Sequence, residues 1–156
     1  MNPLNPKQVD ELLRAAPGGA VYLVGAGGCG MSGLGHLLLD LGHGVAGSDL
    51  AANEEVRQLR SRGAHIHVGH QGEQLRASRP VMVAYSSAIR ADNPELAAAR
   101  ELKVPIVRRA TLLAALLRRQ RGICVAGMHG KTTTSALLSF ALERLGARPS
   151  HASVRS

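Results

Sequence analysis

Between residues 20 and 108 the chain alternates short apolar runs with stretches of helical pattern, and few folds accept that alternation. The runs AVYLVG (20–25), HGVAGS (43–48), AHIHVG (64–69), PVMVAYSS (80–87) and VPIVR (104–108) all have strand length. Strands joined through helices come back running the same way, so the pattern predicts a parallel sheet with helices packed on its faces. The expected fold class is α/β, a Rossmann-like sheet of about five strands.

The helices announce themselves by spacing and by caps. Leu34, Leu37, Leu38 and Leu41 recur at the interval of one helix face. Asn53 followed by Glu54 and Glu55 reads as an N-cap with acids in the first turn, and Asn93-Pro94 as a cap followed by proline at the first helical position. A leading helix over 6–15 carries Val9, Leu12 and Leu13 on one side. Past the fifth strand, ATLLAALLRRQ reads as a bridging helix, GICVAG as a sixth strand, and 131–145 as a last helix before a polar tail. The division expected from this is a domain over 1–110, a linker helix over 111–121, and in 122–156 the first strand, loop and helix of an incomplete second α/β domain.

Composition narrows the class. An apolar share of 45% supports a buried core. No run of 18 apolar residues and no charged-then-apolar leader is present, so membrane association is not expected and the cytoplasm is the expected location. The net charge of +8 would suit nucleic acid, but the basic residues are scattered, and two tyrosines and one phenylalanine build no stacking platform. The densest basic run, RRQR at 118–121, falls at a helix end and reads as a solvated terminus. Cys29 and Cys124 have neither ligand nor disulfide spacing and read as reduced thiols.

Two glycine loops carry the chemistry. VGAGGCGMSGLG follows the first strand and opens the first crossover helix, placing Gly25, Gly27 and Gly30 in the G-x-G-x-x-G arrangement that brings backbone amides against a diphosphate. Asp49 closes the second strand, where such folds hold a ribose; it equally suits the start of the next turn, and spacing leaves NAD and other nucleotides open. The second loop, VAGMHGKTTT, sets Gly127, Gly130, Lys131 and Thr132 between a strand and a helix. It departs from the common phosphate loop in being shortened, because Val125 stands six positions before Lys131. Its amides suit phosphate oxygens, Lys131 the β and γ charges, and the Thr132 hydroxyl a Mg²⁺ ion.

Five blocks in order, GAGGCGMSG (25–33), GSD (47–49), GAHIHVGH (63–70), SSAIRADNPE (86–95) and AGMHGKTTT (126–134), resemble the Mur ligases, and among them the UDP-N-acetylmuramate:L-alanine ligases of peptidoglycan synthesis. The resemblance runs from about Ala20 to Gly146. It implies an ATP- and Mg²⁺-dependent enzyme that activates the carboxylate of UDP-N-acetylmuramate as an acyl phosphate for attack by L-alanine. Under it the first loop holds a UDP-sugar rather than NAD, through Gly25, Gly27, Gly28, Gly30, Met31 and Ser32, with Asp49, His70, Ser86 and Ser87 on the uridine and sugar side. The second loop holds ATP through Gly127, Met128, His129, Gly130, Lys131, Thr132 and Thr133. Lys131 and Thr132 are the catalytic residues, and Thr132 also the metal ligand.

Two departures accompany the resemblance. Met128 stands where the family has threonine, and most of the ATPase domain and the whole amino-acid-binding domain lie outside this sequence. The expectation is an N-terminal portion that binds UDP-sugar without turnover, with association to a chain supplying the missing domains left open. A nucleotide-binding regulatory module of NAD type is the alternative. His65 and His67 share a strand face without further ligands nearby, His129 shapes its loop, and His36 and His43 read as surface or helix-end residues.

Overall fold

The computed structural model describes residues 4–119, 122–147 and 149. Five strands, β1 (Ala20–Val24), β2 (Gly44–Asp49), β3 (His65–Val68), β4 (Met82–Tyr85) and β5 (Ile106–Arg108), form one sheet in the order β3-β2-β1-β4-β5. Every neighbouring pair is parallel. Seven helices accompany them: α1 (Pro6–Ala15), α2 (Cys29–Asp40), α3 (Glu54–Ser61), α4 (Gly72–Ser78), α5 (Pro94–Glu101), α6 (Arg109–Leu117) and α7 (Lys131–Arg144).

Alternation along β1 divides the core. Val21 and Leu23 point to the face covered by α2, α3 and α6, where they meet Leu34, Leu38, Leu59 and Leu112. Tyr22 and Val24 point to the opposite face and meet Leu75 of α4 and Leu96 and Ala99 of α5. Burial on both faces is the ordinary condition of a parallel sheet, and it explains why the strands read as nearly continuous apolar runs. Sheet packing is close enough that Gly47 admits no side chain: a Cβ there would lie 2.3 Å from the Leu23 carbonyl oxygen.

The caps sit where the spacing placed them. Asn53 Oδ1 accepts from the Val56 amide at 3.0 Å, and Asn93 Oδ1 from the amides of Glu95 and Leu96. Asn5 and Gln8 form a reciprocal capping box on α1. Helix α4 carried no such signal; Gln71 precedes it without a side-chain cap, and only its packing against α5 and β1 defines it.

Three expectations are corrected. Residues 122–127 form no strand, and Ile123 is exposed: a strand exists only against a partner edge, and this segment pairs with none. Arg119, in the run read as a solvated helix end, is drawn in: its guanidinium pairs with Asp10 of α1, donates to the Asp10 carbonyl at 3.1 Å and approaches His43 Nε2 at 3.2 Å. His43 is consequently buried rather than superficial. Apart from these three, the helix expected over 111–121 overlaps α6, which follows β5 without a loop and buries Leu112, Ala115 and Leu116. Among the described residues no helix is long and apolar enough to cross a membrane.

Candidate functional site

The strand order reverses between β1 and β4, and the carboxyl ends of those strands flank the crevice where folds of this type bind ligands. The loop after β1 enters it. Gly25 adopts φ +78°, a conformation few residues other than glycine tolerate, and a Cβ there would meet Ile89 Cδ1 at 3.3 Å. Ile89 belongs to the turn after β4, closed by its amide donating to the Ser86 carbonyl at 3.1 Å. The loops after β1 and β4 therefore touch across the switch point, with Ser86 and Ser87 beside them.

The turn of the first loop is held from β2. The Gly25 and Ala26 amides both donate to the Ser48 carbonyl at 2.9 Å, and the Gly27 amide donates to Asp49 Oδ2 at 2.7 Å. Asn53 Nδ2 donates to the Gly27 carbonyl at 2.9 Å. A Cβ on Gly27 would lie 2.8 Å from the Asn53 side-chain amide, so this glycine is required by close approach. Asp49 Oδ1 accepts from the Ala51 amide at 3.2 Å. The carboxylate thus serves as a clamp on the loop, and as the start of the next turn, before any ligand is considered.

The first-turn amides of α2 divide in two. Those of Met31 and Ser32 donate to the Gly28 carbonyl at 2.8 Å, while by position the amides of Cys29 and Gly30 have no acceptor within the helix. Met31 and Ser32 are both buried, and the Met31 side chain belongs to the core beneath the loop. Against Gly30 lies a residue not anticipated. Arg109 Nη1 is 2.7 Å from where a Gly30 Cβ would be, and no hydrogen bond or ion pair to Arg109 occurs among the described residues. A cation beside a helix N-terminus opposes the helix dipole, and an anion between them resolves the conflict.

His70 follows β3 and stands on a buried carboxylate. Glu95 of α5 is fully buried, and Tyr22 Oη and Ser48 Oγ donate to its two oxygens at 2.6 Å each. His70 Nδ1 lies 3.0 Å from Glu95 Oε2 and 2.8 Å from Ser48 Oγ. Burial and the adjacent carboxylate hold the Tyr22 phenol far above its ordinary ionisation range. The block SSAIRADNPE contained Glu95, but as a first-turn acid on a helix. Its partners lie 73 and 47 residues away, and nothing local in the sequence points to them.

The second loop is built differently. Gly130 caps α7 at φ +77°, and Lys131 folds back so that Nζ donates to the Gly127 carbonyl at 2.7 Å. No residue of α7 is buried; Leu137, Phe140 and Leu145 are exposed, and Met128 in the loop is 88% exposed. The lysine, the left-handed glycine and the Thr132 hydroxyl form a donor set that fits a nucleotide phosphate with its metal.

The model of the Mur ligase family, catalytic domain, matches residues 20–121. A UDP-N-acetylmuramate–L-alanine ligase of Methylocella silvestris is 48% identical over 131 residues, covering 84% of this chain and 28% of that protein. The ligase of the same name from Burkholderia mallei is 46% identical over 129 residues, covering 83% and 27%. Among solved structures, the UDP-N-acetylmuramate-alanine ligase of Thermotoga maritima superposes with a TM-score of 0.76 at 34% identity, over 82% of this chain and 30% of that one. A murein peptide ligase from Psychrobacter arcticus reaches the same TM-score at 28% identity, over 83% and 27%. The chain spans under a third of the length of these relatives. With the family's domain matched across the whole of its sheet, the chain belongs to the Mur ligase family.

Proposed function

We propose that this chain is the UDP-sugar-binding portion of an ATP-dependent ligase that joins L-alanine to UDP-N-acetylmuramate in cell-wall synthesis. The observation that carries the reading is the first loop: clamped by Asp49 and Asn53, opening on a helix N-terminus, and faced by a cation with no anionic partner among the described residues. That arrangement suits a diphosphate, with Gly25, Gly27, Gly28 and Gly30 contributing close backbone approach and His70, Ser86 and Ser87 on the nucleoside and sugar side. Asp49 is occupied by Gly27, which speaks against a carboxylate reserved for the ribose of NAD.

ATP with Mg²⁺ at the second loop would supply the phosphoryl group that activates the sugar's carboxylate. For it, residues 127–133 offer amides, Lys131 a charge to stabilise the transferring phosphoryl, and Thr132 a metal-facing hydroxyl. Acyl transfer further needs carboxylates to complete the metal site and groups to place the amine, so these 156 residues bind without turnover. The exposed apolar residues of α7 are suited to the rest of an ATP-binding sheet, whether it continues this polypeptide or comes from a second chain. With ATP and a UDP-sugar as its substrates, the expected location of the activity is the cytoplasm.

Calorimetric titration with UDP-N-acetylmuramate and, separately, with NAD(H) tests the reading. Saturable binding of the UDP-sugar with no NAD binding is expected. Tight NAD binding without UDP-sugar binding would instead make the chain a regulatory nucleotide module.

A further inference from the structure

The buried Glu95 is the least expected group in the fold. A carboxylate taken out of water is costly unless every nearby group donates to it, and counting protons around it fixes more than its own state. Tyr22 Oη donates to Oε1, and the Gln71 amide lies 3.4 Å from the same oxygen. Ser48 has a single hydroxyl proton and spends it on Oε2 at 2.6 Å. Its oxygen, 2.8 Å from His70 Nδ1, is left as an acceptor there, and so is Oε2 at 3.0 Å. Two acceptors facing one ring nitrogen require that nitrogen to carry the proton. The neutral imidazole then has a bare lone pair on Nε2.

His70 keeps 15% of its side chain exposed, and Nε2 has no partner among the described residues. The ring sits just beyond β3, at the same end of the sheet as the first glycine loop and Asp49. We infer that Glu95 is a positioning residue that holds His70 as the Nδ1–H tautomer, so that Nε2 accepts a hydrogen bond from a donor on the uridine half of the bound nucleotide. The donor is either the imide N–H of the base or a ribose hydroxyl. The inference rests on the first loop being a nucleotide site, and it assigns specificity to two residues that no glycine motif contains. With the imide as donor, a base bearing a lone pair in place of that proton would face lone pair against lone pair and be rejected.

The tautomer is read on the free, wild-type protein from the ¹⁵N shifts of His70, at a pH high enough to keep the imidazole neutral. Protonated Nδ1 and bare Nε2 are expected; protonated Nε2 would overturn the inference without any ligand being added. In Glu95→Gln the Gln71 amide, which can only donate, keeps the carbonyl oxygen on its side and turns the new NH₂ toward Nδ1. The proton is then expected on Nε2, and affinity for UDP is expected to fall about tenfold, the worth of one good hydrogen bond. A reversed tautomer with unchanged UDP affinity would overturn the ligand contact. Wild-type titrations with UDP, N3-methyl-UDP and 2′,3′-dideoxy-UDP separate the two donors: loss with the methyl compound selects the imide, loss with the dideoxy compound the ribose. Equal affinity for all three would also overturn it. Should UDP fail to bind the wild type at all, the nucleotide reading of the first loop and the ligand contact fail together, while the tautomer remains decided by the free protein. The wild-type measurement stands if the Gln variant does not fold.

Discussion

The two glycine loops have similar sequences and opposite surroundings. Each follows an apolar stretch and opens a helix, but the first is seated on β2 by amides to Ser48 and Asp49, whereas the second is held mainly by its own lysine. Helix α2 buries Leu34 and Leu38 against the sheet; α7 buries nothing. A loop motif specifies its own turn geometry, and the sheet beneath it supplies the rigidity that makes the turn a binding site.

The largest effect that can test this contrast is in amide exchange. Amides of β1 should exchange only with global unfolding and those of α7 by local opening, a separation of more than about a thousandfold for a domain of ordinary stability. Comparable protection in α7 would show that it has a partner surface and would break the contrast. Alanine substitutions probe the same difference in stability. Gly27→Ala forces a Cβ against Asn53 and Asp49 and should cost about 2 kcal/mol, read from denaturant midpoints. Gly127→Ala has only a carbonyl oxygen at 3.5 Å and should stay within about 0.5 kcal/mol. Equal losses would mean that the second loop is as closely packed as the first.

Arg109→Ala should leave the fold intact and weaken UDP binding about tenfold, since a charge-assisted contact to phosphate is removed. Unchanged affinity would take the guanidinium out of the site. The smallest expected effect is in pH dependence and belongs wholly to the packed domain. Burial, aided by Arg119, lowers the His43 ionisation, so the unfolded chain takes up its proton first. The Asp10 carboxyl is lowered chiefly by its hydrogen bond to Arg119, and further by Arg14. Both shifts have one sign. The His43 contribution is complete above about pH 6.5 and declines as pH falls through its folded value, and the Asp10 contribution does the same from about pH 3.9 downward. Thermal midpoints followed against pH should lose the first decline in His43→Gln; an unaltered slope would remove His43 from the account.

Most of the sheet could be read directly from the chain, because strand runs, the Asn53 and Asn93 caps and the Gly25 turn are local statements of backbone preference. Helix α4 was not, since its definition comes from packing against α5 rather than from a cap. The run GICVAG shows the converse. Its apolar pattern has the propensity for a strand, and without an edge to pair with the strand does not form.

The candidate site divides along the same line. The sequence by itself determined the glycine loops, each within one contiguous block, and the family, through five blocks in order. Only the tertiary structure decided that Asp49 clamps Gly27, that Arg109 faces the helix start, that Met31 belongs to the core and that Glu95 supports His70. These depend on which strands lie side by side and which helix crosses which face. Contacts between residues on different elements are set by the packing of the sheet and leave no periodic or local trace in the chain.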